Sequence, residues 1–332
     1  MENLVDKQFW KSRRVFITGA TGLVGSALTK KLVDFGAEVT ALLIRSPRDS
    51  ELIISNSLEK IDVYYGDLGD SSIVEKAVIE SQAEIYFHLG AQTLVSIGLL
   101  DPATTFNSNI LGTINLLEAI RKFSPDVKSI VVASSDKAYG EAKYLPYDEN
   151  HPIQGLGPYD VSKSCTDLLS QSYAASFNLP ITITRSANIF GPGDTNWSRI
   201  VPGTFKSIFT GIQPIIRSNG NYIRDYIYVD DVIEAYLLMA QNYSKNIPGT
   251  AFNLSSDVSY SVMDIYNQIC IAAVGKVIEP KILNEAHTEI TSQHLTSNKI
   301  KLELGWQSRV LLQDGLRESA TWYRKLLNQE FI

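Results

Sequence analysis

Cysteine is nearly missing from this chain: there are two in 332 residues, Cys165 and Cys270, far apart and in no Cys-x-x-Cys pattern. That excludes a disulfide-stapled scaffold or a thiolate zinc site, and fits a reducing, cytoplasmic setting. Histidine is also scarce, and His88, His151, His287 and His294 show no metal-ligand spacing, so no metal is expected. No apolar run approaches the roughly 20 residues that cross a bilayer, and the polar N-terminus does not read as a signal peptide. Basic residues are the minority, 30 Lys and Arg against 36 Asp and Glu, for a net charge of −6. A nucleic acid is therefore not the expected partner, whereas a small anion held by a few local arginines is compatible.

What the chain does have is 44% apolar residues, ample for a large core, arranged in a repeating rhythm. Arg14 to Thr18 is a β-branched run ending in glycines, followed by a periodic stretch from Leu23 to Phe35 that Gly36 closes: strand, turn, helix, stop. The alternation continues with strands at 38–44, 61–65, 84–89, 129–134 and 181–186 and helices at 71–81, 104–123 and 159–177. Alternating βα units with buried strands predict a doubly wound α/β fold on a parallel sheet. The rhythm breaks after Phe190, where 191–199 is rich in Gly, Pro, Asp and Asn. The expected division is a first domain over 1–190 and a smaller mixed lobe over 191–332, interleaved, with a strand and helix of the first domain near 226–242.

Glycines at three-residue spacing fill the first strand–helix turn, Thr18-Gly19-Ala20-Thr21-Gly22-Leu23-Val24-Gly25. In that position they allow a tight turn and bring a pyrophosphate close to helix N-terminal N–H groups, which predicts a bound dinucleotide. Gly66-Asp67-Leu68 follows the third strand, where Asp67 would meet an adenine amine. The second strand ends Leu43-Ile44-Arg45, without the acidic residue that binds a ribose 2′-hydroxyl. NAD is the expected cofactor, with NADP open because Arg45 or Arg48 could meet a 2′-phosphate.

Tyr-x-x-x-Lys occurs twice, at Tyr139/Lys143 and Tyr159/Lys163, so spacing alone does not choose. Context does. Lys143 leads into Tyr144-Leu145-Pro146, where a helix does not readily run, whereas Tyr159 follows Pro158 and opens a long periodic helix. Only the second pair shares one helical face at i and i+4. A lysine and a nicotinamide cation beside a tyrosine lower the phenol pKa, so that it accepts a proton from a substrate hydroxyl. Ser135, at the end of the fifth strand, can hydrogen-bond the same hydroxyl.

The glycine loop, His88-Leu89-Gly90-Ala91-Gln92, Asn109-Ile110-Leu111-Gly112-Thr113, the Ser135/Tyr159/Lys163 set, the run from Arg185 to Pro192 and Arg224-Asp225-Tyr226 through Asp231 together resemble the extended short-chain dehydrogenase/reductase superfamily, over nearly the whole chain. The resemblance implies a Rossmann domain, a nucleotide-sugar substrate and a homodimer paired through the helix carrying Leu168, Leu169 and Tyr173. It also implies cofactor contacts from Gly19, Thr21, Gly22, Leu23, Val24, Gly25, Arg45, Asp67, Leu68, Leu89, Ala91, Gln92, Asn109, Tyr159 and Lys163. Thr93, Asn188, Arg199, Val201, Arg217, Arg224 and His294 are the implied substrate residues, an arginine fork suiting diphosphate oxygens.

Sugar 4-epimerases of that superfamily usually carry small or neutral residues after the catalytic Ser or Thr, and 4,6-dehydratases carry Asp then Glu. Here Asp136 and Lys137 follow Ser135, a pattern similar to CDP-glucose 4,6-dehydratases. Gln8-Phe9-Trp10, Ala91 to Val95 and Trp197-Ser198-Arg199-Ile200-Val201-Pro202 agree with that branch, whereas Gly19-Ala20-Thr21-Gly22 and Arg224-Asp225-Tyr226 look like generic epimerase/dehydratase sequence. The expected catalytic set is Ser135, Asp136, Lys137, Tyr159 and Lys163. A nucleotide-sugar 4-epimerase is the alternative, needing neither Asp136 nor Lys137. A silent dinucleotide-binding sensor is a remote one, with no reason to keep the Tyr/Lys pair.

Overall fold

A computed structural model of the protein describes residues 4–46, 50–245, 247–285 and 289–328. The predicted alternation is present. Six strands, β1 (Arg14–Thr18), β2 (Glu38–Leu43), β3 (Asp62–Tyr65), β4 (Ile85–His88), β5 (Ser129–Ala133) and β6 (Ile181–Ser186), come from the first part of the chain. The later strands are β7 (Asn188–Phe190), β8 (Ile215–Ile216), β9 (Ile223–Tyr228), β10 (Thr250–Leu254), β11 (Ser259–Ser261), β12 (Lys281–Ile282) and β13 (Ser292–Gln293). The main sheet has seven parallel strands in the order β10-β6-β5-β4-β1-β2-β3. Its strand order reverses between β1 and β4, the switch point where open α/β sheets bind ligands.

Thirteen α-helices lie among the described residues: α1 (Lys7–Trp10), α2 (Leu23–Asp34), α3 (Glu51–Ile54), α4 (Ser71–Ser81), α5 (Val95–Leu100), α6 (Pro102–Phe106), α7 (Gly112–Phe123), α8 (Pro158–Phe177), α9 (Ile200–Phe209), α10 (Val229–Gln241), α11 (Val262–Val274), α12 (Asn298–Leu304) and α13 (Leu312–Leu327). None is long and apolar enough to cross a membrane. The main sheet is covered on both faces, by a core holding Ile17, Phe87, Val131 and Phe252 on one side and Phe16, Tyr86, Ile130 and Ile183 on the other. Successive side chains of a buried parallel strand alternate between those two cores, which is why these strands are apolar throughout.

Two elements differ from expectation. The helix expected over 104–123 is α6 and α7 joined by a π-helical turn, Asn107–Leu111, an irregularity that periodicity cannot show. The strand expected near 226 lies in the second sheet, where β9 pairs with β7, β11 and β13. The strand that rejoins the main sheet is β10, hydrogen-bonded to β6, while α10 covers the expected helix.

Candidate active site

β1 ends at Thr18, and the chain turns through Gly19 and Gly22 into α2. Gly19 has φ of 75°, and a Cβ there would stand 2.7 Å from Gly90 N and Leu89 C; one on Gly25 would stand 2.1 Å from Gly19 O. The loops after β1 and β4 therefore meet backbone to backbone. Above them, the N-cap of α2 is Gly22, which makes no side-chain cap hydrogen bond. An uncapped helix start with no bulky side chain at its mouth is a cradle for a pyrophosphate. Thr21 and Val24 are half-buried at this turn, with Leu23 buried and Leu89 and Ala91 half-buried across from it. Arg45 is exposed just beyond β2, and Arg48 lies outside the described residues. Asp67 is exposed and accepts a hydrogen bond from Gly69 N at 2.8 Å, while Leu68 fills the space beside Gly90.

Asn109 sits in the π-helical turn, and its side chain is fully engaged. Its oxygen accepts from Gln92 N at 2.7 Å, and its amide donates to Gln92 O at 3.0 Å and Ser162 Oγ at 2.8 Å. It thus fastens the Gln92 backbone to α8. Beneath this lies His88, whose Nδ1 is 2.8 Å from Thr18 Oγ1 and whose Nε2 is 2.9 Å from Thr113 Oγ1. Thr18 Oγ1 already accepts from Leu89 N and Gly90 N, so its proton goes to Nδ1; Thr113 donates onward to Asn109 O, so Nε2 carries the ring proton.

Burial, reinforced by the Lys163 charge, lowers the His88 pKa from 6.5 to about 3. The unfolded chain takes up this proton near 6.5, so the contribution is complete above that pH and is lost as pH falls toward the folded value. Stability should decline by about 1.4 kcal/mol per pH unit in that window on account of His88. In urea unfolding at pH 7 and pH 5, His88→Gln should lose about 2 kcal/mol less over that step than the parent. Equal losses would show that His88 is not the acid-sensitive group.

The catalytic candidates converge at the end of β5. Ser135 starts a short 3-10 turn, Asp136–Tyr139, and Ser135 Oγ donates to Asp136 Oδ1 at 3.0 Å. Pro158 and Tyr159 open α8, and Ser135 hydrogen-bonds the Tyr159 phenol. Burial pushes the phenol up to about 12; the largest opposing influence is the Arg199 charge, followed after Asp136's opposite effect by the Ser135 bond. The sequence reading gave that cationic role to Lys163 together with the nicotinamide cation. In the structure Lys163 Nζ donates to Ala133 O at 2.8 Å, and burial brings its pKa down to about 8. Asp136 is buried, with Oδ1 bonded to Ser135 and Oδ2 without a partner among the described residues. Burial also lowers the Lys137 pKa, opposed by Asp136 and assisted by Arg224.

The expected substrate residues are more dispersed. Thr93 is exposed after the β4 loop, and Arg217 is exposed after β8. Asn188 donates to Asp225 O at 3.0 Å, and Arg199 pairs with Asp194 at 3.1 Å. The Val201 side chain belongs to the hydrophobic core. Arg224 is buried, donating to Ile290 O at 2.6 Å with Glu289 3.6 Å away. His294 has a lowered pKa from burial and a buried Nδ1 with no hydrogen-bond partner among the described residues. Among the described residues no cluster of His, Cys, Asp and Glu could hold a metal.

Two residues that the sequence did not single out stand beside this cluster. Asp225 is buried on β9 with Oδ2 accepting from Ser255 Oγ at 2.6 Å and Leu295 N at 3.0 Å, and Oδ1 without a partner among the described residues. Burial, then the charge of Asp136, raises its pKa to about 7. Gln293, buried on β13, touches both Asp136 and Lys137. Isolated Asp and Gln residues carry no spacing signal, and only the pairing of distant strands brings these to the site.

A family model described as GDP-mannose 4,6 dehydratase matches residues 16–319. The CDP-glucose 4,6-dehydratase of Salmonella typhimurium is 29% identical, the match covering 98% of this chain and 95% of that protein. The crystal structure of UDP-glucose 4-epimerase from Thermotoga maritima with UDP-glucose superposes with a TM-score of 0.85 at 28% identity, over 94% of this chain and 99% of that one. A dTDP-glucose 4,6-dehydratase from Bacillus anthracis, in complex with NAD, has the same fold, with a TM-score of 0.83 at 21% identity, over 96% and 98% of the two chains.

Proposed function

The chain belongs to the GDP-mannose 4,6 dehydratase family, within the extended short-chain dehydrogenase/reductases, and from that premise we propose that it is a nucleotide-sugar 4,6-dehydratase of the CDP-glucose type. The observation that carries this reading is the Asp136-Lys137 pair after Ser135, beside Tyr159, with Asp136 buried and Lys137 half-buried. A 4-epimerase must oxidise and reduce C4 only, and has no step for a second acid and a second base.

NAD is the proposed cofactor. The uncapped start of α2, and the backbone contact that only glycine permits at Gly19 and Gly25, fit its pyrophosphate, with Thr21, Gly22, Leu23 and Val24 at the mouth and Leu89, Ala91 and Gln92 across from them. When bound, it would supply the hydride acceptor for C4 of the sugar and the hydride donor for C6. Tyr159 as tyrosinate receives the C4 hydroxyl proton, Ser135 orients that hydroxyl, the Arg199 charge supplies the positive surroundings, and Lys163, one helical turn from Tyr159, is assigned to the cofactor. The C4 ketone acidifies C5–H; neutral Lys137 takes that proton, Asp136 delivers one to the departing C6 hydroxyl so that water leaves, and the Lys137 ammonium returns its proton to C5 when C6 is reduced. Burial of Lys137 is what makes a neutral amine accessible. Arg224 and Asn188 are assigned to the diphosphate, Arg224 exchanging its carbonyl and Glu289 contacts for phosphate oxygens; Thr93, Arg217 and His294 are assigned to the remainder of the substrate.

Incubation with CDP-glucose should yield a 4-keto-6-deoxy sugar, read by its alkali-dependent chromophore and by a mass loss of one water. Recovery of only the C4-inverted sugar would overturn the dehydratase in favour of the epimerase. We also infer a homodimer. Its support is the exposure of Leu168 on α8 and the open groove of about 590 Å³ lined by Phe106, Ile110, Leu111 and Ile114.

A further inference from the structure

We propose that Gln293 is a positioning residue for Lys137, holding the amine in place through a neutral carboxamide bridge from the second lobe. Gln293 Nε2 donates to Asp136 O at 3.0 Å, and Gln293 Oε1 accepts from Lys137 Nζ. The orientation of the carboxamide is fixed, because turning it over would set oxygen against the Asp136 carbonyl and NH2 against the amine. Gln293 is fully buried, so no water competes for either bond. Lysine carries a flexible four-carbon stem, and a single strong acceptor is what selects one placement for its nitrogen.

The choice of an amide matters as much as its place. A carboxylate in this position would pair with Lys137 and keep it charged, whereas an amide oxygen accepts an N–H without adding a negative charge. The charged groups acting on Lys137 are Asp136 from its own turn, Asp160 from α8, Arg224 from β9 and Glu289 upstream of β13. Only Arg224 among them favours the neutral amine, and it is the register partner of Gln293 across β9 and β13. The strand that holds Lys137 is thus pinned to the arginine assigned to the diphosphate, through Arg224 and Ile290 O at 2.6 Å. This inference rests on the reading of Lys137 as the C5 base.

The test compares the parent with Gln293→Met, which keeps length but loses the acceptor, and Gln293→Glu, which keeps shape but adds charge. Each is assayed with CDP-glucose across pH. In parallel, Lys137 is titrated by competitive acetylation with acetic anhydride and mass spectrometry, a readout that requires no turnover. Gln293→Met should lower kcat about tenfold to a hundredfold with KM within twofold, a misplaced group costing rate rather than binding. Gln293→Glu should shift the rising limb of the kcat profile, and the acetylation midpoint of Lys137, upward by about one pH unit or more. Parental kcat, pH profile and acetylation in both variants would overturn the proposal. A shifted Lys137 midpoint in an enzyme that makes no 4-keto-6-deoxy product from CDP-, UDP- or dTDP-glucose would leave the positioning role standing and refute the dehydratase reading instead.

Discussion

Tyr159→Phe should lower turnover of CDP-glucose by about a thousandfold, within the range of a lost general base, while the protein stays folded. The ring remains, so the packing at the start of α8 is kept; the phenol oxygen that Ser135 touches is removed. Neither Lys163 nor Ser135 stands ready to take over. Lys163 is committed to the Ala133 carbonyl and Ser135 to the Asp136 carboxylate, and neither is moved by the loss of a hydroxyl. Because that oxygen matters most as charge transfers, kcat should carry the effect and KM should change little. Initial rates at saturating CDP-glucose, with a thermal melt as the folding control, decide the matter. Turnover within tenfold of the parent would end the assignment of Tyr159 as the base.

The largest effect on stability should come from Asp167→Ala, at about 3–5 kcal/mol, because it strands a buried charge. Arg185 on β6 and Asp167 on α8 are both buried and meet through two bonds, Nε to Oδ2 at 2.8 Å and Nη2 to Oδ1 at 2.9 Å. The remaining guanidinium nitrogen donates to Tyr139 OH at 3.0 Å and Glu149 O at 3.2 Å. Tyr139 closes the turn that carries Asp136 and Lys137, so the pair ties helix, strand and catalytic turn together. Urea unfolding should show the loss, and the double variant Asp167→Leu with Arg185→Met should recover most of it, since the cost lies in the unpaired charge. A single-variant loss below about 1 kcal/mol would mean that water reaches the site and replaces the carboxylate.

The main sheet was legible because its signals are local. A β-branched run, a turn and a periodic helix can be read within one window, and the same holds for Pro158 setting Tyr159 and Lys163 on one helix face. The second sheet was not, since β11 and β13 are three and two residues long and exist only through pairing with β9. For that reason Gln293 carried no signal and Asp225, though part of the Arg224-Asp225-Tyr226 motif, was given no place at the site, although both approach Asp136. The Arg199 charge at Tyr159 was not legible for a related reason. Lys163 is its neighbour along the helix, but Arg199 arrives from a loop that composition described only as rich in Gly, Pro, Asp and Asn. Burial, which sets the proton affinities of Lys137, Lys163 and Asp225, is a property of the packed chain.

The return of β10 to the main sheet has an evolutionary consequence. β6 is edged by a strand that the chain reaches only after building β7, β8 and β9 in the other lobe. A fragment ending at Phe190 would leave β6 as an unprotected edge, a template for self-association instead of a stable cofactor module. Neither half can be exchanged as a cassette, so new sugar preferences in such a chain must arise by point changes within an inherited whole.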